Sequence, residues 1–347
     1  MRLDDLDYDL PEDLIAQVPA PHREDARLLV LDRDTGRRTH QRIVDLPDLL
    51  APGDLLILND TRVVPARLRA RRATGGAVEV FLLEPSAPAG TWEALVRAAR
   101  SIREGEVLSL GGEDGIRLLT SRGGGAWQVE GVGGTAEELM ARHGEMPLPP
   151  YIRREAGDAR APLDRERYQT VFAREDGAIA APTAGLHLTP APLERLRERG
   201  VEVATVTLHV GLGTFEPVRT DDLDDHPMHE ERYAVPLGTA SAVRRTKEQG
   251  GRVVAVGTTS VRTLEAAALA SDDGLPQEGE ARTDLLNQPG HPFRVVDALL
   301  TNFHLPRSTL LALVAAFAGL DAVQAAYAAA VEERYRFYSY GDAMLIA

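Results

Sequence analysis

Short apolar runs at 27–32 and 54–59 stand between charged residues, Gly and Pro, and have the length of buried strands. Ahead of them, residues 3–17 predict a strand or turn and then a short helix, with Pro11 at its first position. From residue 65 to 134 the texture changes. ValGluValPheLeuLeu, TrpGluAlaLeuVal, GluValLeuSerLeu, IleArgLeuLeu and AlaTrpGlnValGlu follow one another between glycine-rich turns. Many short strands without helices imply a small barrel or sandwich. Gly123, Gly124 and Gly125 predict a hairpin tip and not a phosphate loop, because no helix follows them. A helix over 135–143 precedes MetProLeuProProTyr at 146–151, a stiff extended connector in which the prolines fix φ.

Beyond that connector the pattern alternates: helix 192–200, strand 201–210, helix 239–250, strand 252–257, helix 260–270, strand 293–300, and helices 308–318 and 321–335. Alternation of this kind predicts an α/β domain with a mainly parallel or mixed sheet, which the N-terminal strands join. The expected organisation is therefore an α/β catalytic domain from 1–64 and 151–347, with 65–150 inserted as a small β-barrel domain.

Composition narrows the chemistry. A chain of 347 residues, 44% hydrophobic, has enough apolar material for two cores. Without cysteine there is no disulfide framework, thiolate zinc site, iron–sulfur cluster or cysteine nucleophile. The acid-rich start does not resemble a signal peptide, and no run approaches about 18 apolar residues, so a cytoplasmic protein without a membrane span is expected. The net charge of −14 argues against indiscriminate nucleic-acid binding. Between residues 62 and 103, however, eight arginines (62, 67, 69, 71, 72, 97, 100 and 103) meet only Glu79, Glu84 and Glu93, making a local basic island.

Four segments put polar residues at loop positions beside strands, where α/β sites usually form. AlaAlaProThrAlaGlyLeuHisLeuThr (180–189) carries Thr183, Gly185 and His187 into a helix started by proline. ThrLeuHisValGlyLeuGlyThrPhe (207–215) carries His209, Gly211, Gly213 and Thr214, and runs on to His226, His229 and Glu230. His226 and His229 have the spacing of metal ligands on one helical face, although Pro227 counts against a helix. A metal-dependent hydrolase is thus one competing reading, and a non-catalytic RNA-binding module is another. In ValGlyThrThrSerValArg (256–262) a buried strand ends at Gly257 and three hydroxyls open a helix, which offers donors to a ribose, carboxylate or phosphate. Neither a dinucleotide nor a P-loop pattern is present there. ThrAsnPheHisLeuPro (301–306) brings Asn302 and His304 to the same sheet edge if its strand neighbours the one ending at Gly257.

Read together with GlyAspLeuLeuIleLeuAsnAspThrArgValValProAlaArg (53–67) and GluArgTyrArgPheTyrSerTyrGlyAspAlaMet (333–344), these segments resemble the S-adenosylmethionine:tRNA ribosyltransferase-isomerase family of queuosine biosynthesis. The resemblance spans essentially the whole chain in one order. It implies an α/β domain with an inserted β-barrel, acting without metal or bound cofactor. S-adenosylmethionine is then a consumed ribosyl donor, and the acceptor is 7-aminomethyl-7-deazaguanine at the tRNA wobble position. The product is epoxyqueuosine in tRNA, with adenine and methionine released, and the enzyme is expected to be a monomer. Leu188, Leu286, Asn287, Gln288 and His291 stand where similar proteins tend to carry aromatic residues, so 283–293 is not assigned as a base platform.

The matching positions supply a site. His187, His209 and His229 are the acid–base candidates, because proton removal from the ribose 5′ carbon needs a base near operating pH. Thr258, Thr259 and Arg262 hold the donor, with Arg262 forking onto its methionine carboxylate. Thr183, Gly185, Gly211, Gly213, Thr214, Gly257, Asn302 and His304 complete the substrate set. Asn59, Asp60, Thr61 and Arg62 read the base or the anticodon backbone, and Arg67, Arg69 and Arg97 grip phosphates. One cavity shared by the imidazoles is expected.

Overall fold

The computed structural model describes residues 1–98, 100–155, 157–211, 213 and 218–347. The chain opens with β1 (Arg27–Leu31), β2 (Arg38–Arg42), β3 (Leu55–Asn59) and the short β4 (Thr61–Val63). Next come β5 (Arg67–Arg71), β6 (Ala77–Ser86), β7 (Thr91–Ala98), β8 (Val107–Gly111), β9 (Asp114–Gly123) and β10 (Ala126–Val132). The remaining strands are β11 (Glu175–Ala178), β12 (Glu202–Leu208), β13 (Glu231–Val235), β14 (Val253–Val256), β15 (Gly279–Thr283), β16 (Ala298–Asn302) and β17 (Ala343–Ile346). Between them lie α1 (Leu46–Leu49), α2 (Ala136–His143), α3 (Ala161–Arg167), α4 (Pro190–Glu198), α5 (Leu237–Glu248), α6 (Thr258–Leu269), α7 (Thr309–Ala318) and α8 (Leu320–Glu332).

Nine strands form one mixed sheet in the order β15-β13-β12-β3-β14-β16-β17-β1-β2. Its centre, β12-β3-β14-β16, is parallel, while β13, β15, β17 and β2 introduce antiparallel pairings towards the edges. The adjacency of β14 and β16 that the site required is present, with Val254 opposite Ala298. Within it, β3 and β14 are apolar runs buried along their whole length because both faces are covered. Leu55 and Ile57 of β3 enter one core with Val253, Ala255, Leu299, Val261 and Leu264, under α5 to α8. Leu56 and Leu58 enter the opposite core with Val254, Val256, Leu300, Leu193 and Leu196, under α1 and α4.

The six strands β10-β7-β6-β5-β8-β9 pair antiparallel, and β9 returns to β10, closing the barrel. Trp92, Trp127, Leu68 and Val80 fill it, and Leu139 and Met140 of α2 close one side. Thr135 and Glu138 form a reciprocal capping box at the start of α2. Gly123, Gly124 and Gly125 turn the β9–β10 hairpin with positive φ at all three, as the sequence predicts.

Three local points have identifiable physical outcomes. The short helix expected at Pro11 is a 3-10 helix, Glu12–Leu14, with Pro11 one position earlier than expected, as its N-cap. The strand expected over 293–300 begins only at Ala298, because the N–H groups of Arg294, Val295 and Val296 donate to the Glu265 carboxylate and cannot enter a ladder. The segment 226–230 is irregular, so His226 and His229 do not share a helical face. Among the described residues no single helix is long and apolar enough to cross a membrane.

Candidate functional site

The parallel strands deliver their loops to one edge of the sheet, and the polar residues gather there. Gly257, at φ +85°, turns the end of β14 directly into α6, and its N–H donates to the Leu300 carbonyl of β16 (2.7 Å). Beside this turn lies a cavity of about 80 Å³, lined by Thr183, Gly257, Thr258, Thr259, Asn302 and His304 together with Tyr151, Val210, Phe303 and Tyr338. Three of its lining residues carry a buried polar atom with no partner among the described residues: Thr259 Oγ1, Asn302 Oδ1 and the Tyr338 hydroxyl.

Asn302 has one orientation. Its Nδ2 donates to the carbonyls of Tyr338 (3.1 Å) and Asp342 (3.4 Å) and to His187 Nε2 (3.0 Å), which fixes Oδ1 as the free end. His187 therefore accepts through Nε2 and is neutral, consistent with burial and the nearby Arg23 and Arg336 pushing its pKa down to about 4. It lines a separate small pocket with Arg23 and Arg167, behind Asn302 and outside the Thr259 cavity. The structure thus makes His187 a positioning group for Asn302 and a poor candidate for acid–base work. His304 lines the cavity, but its Nε2 is bonded to Thr301 Oγ1 (2.8 Å) and burial pushes its pKa down to about 3. Gly185 supports the same turn from outside: a Cβ there would meet Phe172 Cζ at 2.8 Å.

His209, the next residue before Val210, opens on a different space. This is a groove of about 840 Å³ lined by Asp60, Arg174, Glu175, Thr207, His209 and Arg232, with residues of β15 along one side. Asp60 is buried, and its carboxylate accepts from Thr207 Oγ1 (2.7 Å) and from Arg174 Nη2 (3.0 Å). His209 Nδ1 shares a hydrogen bond with Thr61 Oγ1 (2.9 Å). Its pKa is lowered, by burial first and then by Arg232, against the pull of Glu175, Asp60 and Glu280.

The third space is a pocket of about 20 Å³ lined by Gly213, His226, His229, Glu231, Arg262 and Asn287. The buried Arg262 already has a carboxylate: Nη1 pairs with Glu231, Nε donates to the Leu285 carbonyl (3.0 Å), and Glu231 Oε1 accepts from the Gly211 N–H (2.8 Å). The fork expected for a methionine carboxylate is thus spent on the protein, and among the described residues Nη2 has no partner, nor has either polar atom of Asn287. Gly213 is required beside His229, since a Cβ would lie 2.4 Å from its Cδ2. Among the described residues no group of three His, Asp or Glu side chains is arranged to hold a metal.

The expectation of one cavity shared by the imidazoles is therefore corrected. His187, His209, His229 and Thr259 line four neighbouring spaces around the carboxyl ends of the sheet, because the loops that carry them leave different strands. Thr214 lies outside the described residues. Asn59 is buried and tied to backbone, donating to the Leu208 carbonyl (3.0 Å) and accepting from the N–H groups of Leu208 (3.0 Å) and Thr61 (3.1 Å), so it cannot reach an RNA. Thr61 is buried as well. Arg62 is exposed near Asp176, at 3.6 Å. In the basic island, Arg67 and Arg97 both face Glu79, at 3.1 and 3.9 Å, Arg69 is clamped by Glu145 at 2.8 Å, and Arg72 by Glu106 at 2.6 Å. Counting charge along the sequence missed Glu145 and Glu106, which lie outside the 62–103 window. It also passed over Arg174, which lies in none of the motifs, and Tyr151, Glu231 and Tyr338, whose only signal was their place in or beside them.

A family model described as queuosine biosynthesis protein matches residues 3–346. A Citrifermentans bemidjiense protein named S-adenosylmethionine:tRNA ribosyltransferase-isomerase is 53% identical, with 100% of both chains covered. An Anaeromyxobacter protein of the same name is 54% identical, over 100% of this chain and 99% of the relative. A crystal structure of S-adenosylmethionine tRNA ribosyltransferase from Thermotoga maritima is 38% identical and aligns over 99% of this chain and 100% of that one with a TM-score of 0.55. With matches of this extent, the chain belongs to the queuosine biosynthesis protein family.

Proposed function

We propose that the chain is an S-adenosylmethionine:tRNA ribosyltransferase-isomerase. It moves and isomerises the ribosyl part of S-adenosylmethionine onto 7-aminomethyl-7-deazaguanine at the tRNA wobble position, releasing adenine and methionine and leaving epoxyqueuosine. The observation that carries this reading is the arrangement at the end of β12, where Val210 lines a cavity whose described residues are uncharged, suited to a nucleoside, and His209 lines a wide groove suited to an RNA base.

The chemistry follows from those two spaces. A proton on the ribose 5′ carbon is acidified by the adjacent sulfonium, and His209, neutral above its lowered pKa, is the imidazole placed to take it. Asp60, held by Thr207 and Arg174, has lone pairs left to accept from the amino and imino edge of a guanine-type base. The aminomethyl nucleophile must be neutral, which partial desolvation favours by lowering its pKa. Arg262, with His229 beside it, lies towards the methionine end of the donor through its remaining Nη2. The α/β part, 1–64 and 151–347, carries the reaction, and 65–150 is a separate domain facing the RNA. Of Arg62, Arg67, Arg69 and Arg97, Arg97 and Arg62 are the more exposed and therefore better suited to phosphates. The enzyme works in the cytoplasm as a monomer, with S-adenosylmethionine as substrate and no resident cofactor.

Incubation with S-adenosylmethionine and tRNA bearing the aminomethyl base, followed by mass analysis of the nucleosides, tests the proposal. The expected result is the new nucleoside together with free adenine and methionine. Adenine without modified tRNA would reveal a nucleosidase, and RNA binding without turnover would reveal a binding module. Hydrolysis of the donor that stops on chelation and returns with zinc or manganese would reveal a metal-dependent hydrolase.

A further inference from the structure

The cavity beside Gly257 discriminates through the charge its walls lack. Among the described residues no acid, lysine or arginine lines it, and the one histidine among them, His304, is neutral and already bonded to Thr301. A carboxylate, ammonium or sulfonium would have no counter-ion there, and a buried unpaired charge is strongly disfavoured. Of the parts of S-adenosylmethionine, only the ribose and the purine are neutral.

The polar atoms choose between these two. With Nδ2 committed to two carbonyls and His187, Asn302 presents Oδ1 alone, which can only accept. A partner must bring an N–H or O–H to it. Thr259 Oγ1 and the Tyr338 hydroxyl can each give or take a hydrogen bond, and burial raises the Tyr338 pKa, so the phenol stays protonated as a donor. Val210, Phe303 and Leu305 line it too, with the Tyr338 ring packed 4.7 Å from that of Tyr151, and Thr183, Thr258, Ser308 and Ser339 add further hydroxyls. A flat face with one obligatory acceptor and two adaptable hydroxyls matches the edge of an aminopurine, whose exocyclic amine donates and whose ring nitrogens accept. A ribose has no flat face to set against the Tyr151, Phe303 and Tyr338 rings. Tyr338 also holds a left-handed backbone, φ +69°, which bulky residues adopt only where the surroundings enforce it. Its carbonyl is one of the two that orient Asn302.

We infer that this cavity is the adenine subsite of the donor, with Asn302 Oδ1 accepting from the exocyclic amine and Tyr338 as a base-binding residue. The inference rests on the S-adenosylmethionine chemistry proposed above, and it assigns one part of that substrate to one cavity.

Titration calorimetry of the full chain with adenine, hypoxanthine and methionine as separate probes, up to millimolar concentration, provides the test. Adenine is expected to bind, and hypoxanthine, which sets a carbonyl oxygen against Asn302, to bind at least about tenfold more weakly. Tyr338→Phe and Thr259→Ala, both mild enough for melting curves to verify the fold, are each expected to weaken adenine by about threefold to tenfold. Methionine binding should be the same in wild type and variants. Equal binding of adenine and hypoxanthine by the wild type overturns the assignment without reference to any variant. So does the absence of adenine binding, or an adenine affinity untouched in both folded variants. Modification of tRNA without purine discrimination leaves the activity standing and removes the subsite. Purine discrimination without tRNA modification does the reverse.

Discussion

One nitrogen of His209 is available for chemistry. Nδ1 is engaged by Thr61 Oγ1, and the lowered pKa keeps the ring neutral at physiological pH, where a base must be deprotonated to act. His209→Ala is therefore expected to lower kcat by about 10²- to 10⁴-fold with little change in melting temperature. The sign of the pH dependence follows. Activity that needs neutral His209 falls as pH drops through its pKa, and because that pKa is depressed, the acid limb of kcat/KM lies below the ordinary imidazole value of 6.5. A limb at or above that value in the wild type would assign the base elsewhere. Gly177 tests the placement of the same ring. A Cβ there would lie 2.9 Å from His209 Nδ1, and the backbone at φ +140° already disfavours a side chain. Gly177→Ala should displace the imidazole and reduce kcat by about 10²-fold in steady-state kinetics, leaving the KM for S-adenosylmethionine near its wild-type value.

At the scale of elements, α6 does two things for the site. Its first turn supplies the hydroxyls beside Gly257, and Glu265, two turns on and fully buried, gathers the N–H groups of Arg294, Val295 and Val296 at 2.8, 3.0 and 3.0 Å. That anchor delays β16 until Ala298 and sets where Asn302 emerges. Glu265→Ala leaves three N–H groups unpaired and should cost about 3 kcal/mol or more in urea denaturation. Glu265→Gln keeps the oxygen that serves two of them and should cost clearly less. Equal, small losses for both would show that the carboxylate is no anchor. The same region shows how far the sequence can be read. The strand–Gly257–helix turn was visible because β14 is apolar on both faces and hydroxyls follow at once. The late start of β16 was invisible because its cause is a side chain 29 residues earlier. Edge strands such as β2, with mostly exposed Arg38 to Arg42, carry no alternation to detect. The separation of the histidines was hidden too. It depends on β3 pairing with both β12 and β14, partners about 150 and 200 residues away that local pattern cannot rank.

Over the whole molecule, acid sensitivity should originate in the histidines that the site keeps neutral. His187 and His304 are buried, with pKa values pushed down to about 4 and about 3 from the ordinary 6.5. Between pH 6.5 and about 4 the unfolded chain binds protons at both positions that the folded chain refuses, so stability is fully present above 6.5 and is lost as pH falls. Each histidine contributes a slope of up to about 1.4 kcal/mol per pH unit in that window. Asp342 opposes them in sign, since burial raises its pKa and folding gains from its protonation, whereas Asp273, lowered to about 2 by Ser271 and Arg244, adds to the loss only below the carboxylate range. The histidines should thus dominate from pH 6.5 to 5, and the melting temperature should fall throughout that interval. His304→Gln removes one titration while retaining an amide able to bond Thr301, so its curve should be flatter than the wild type even if its melting temperature at pH 7 is lower. His187→Gln should flatten the curve similarly and, because it faces the Asn302 amide that orients the cavity, also raise the KM for S-adenosylmethionine. A wild-type melting temperature constant from pH 7 to 5 would mean that neither imidazole is held neutral, and the fixed orientation of Asn302 would lose its physical basis.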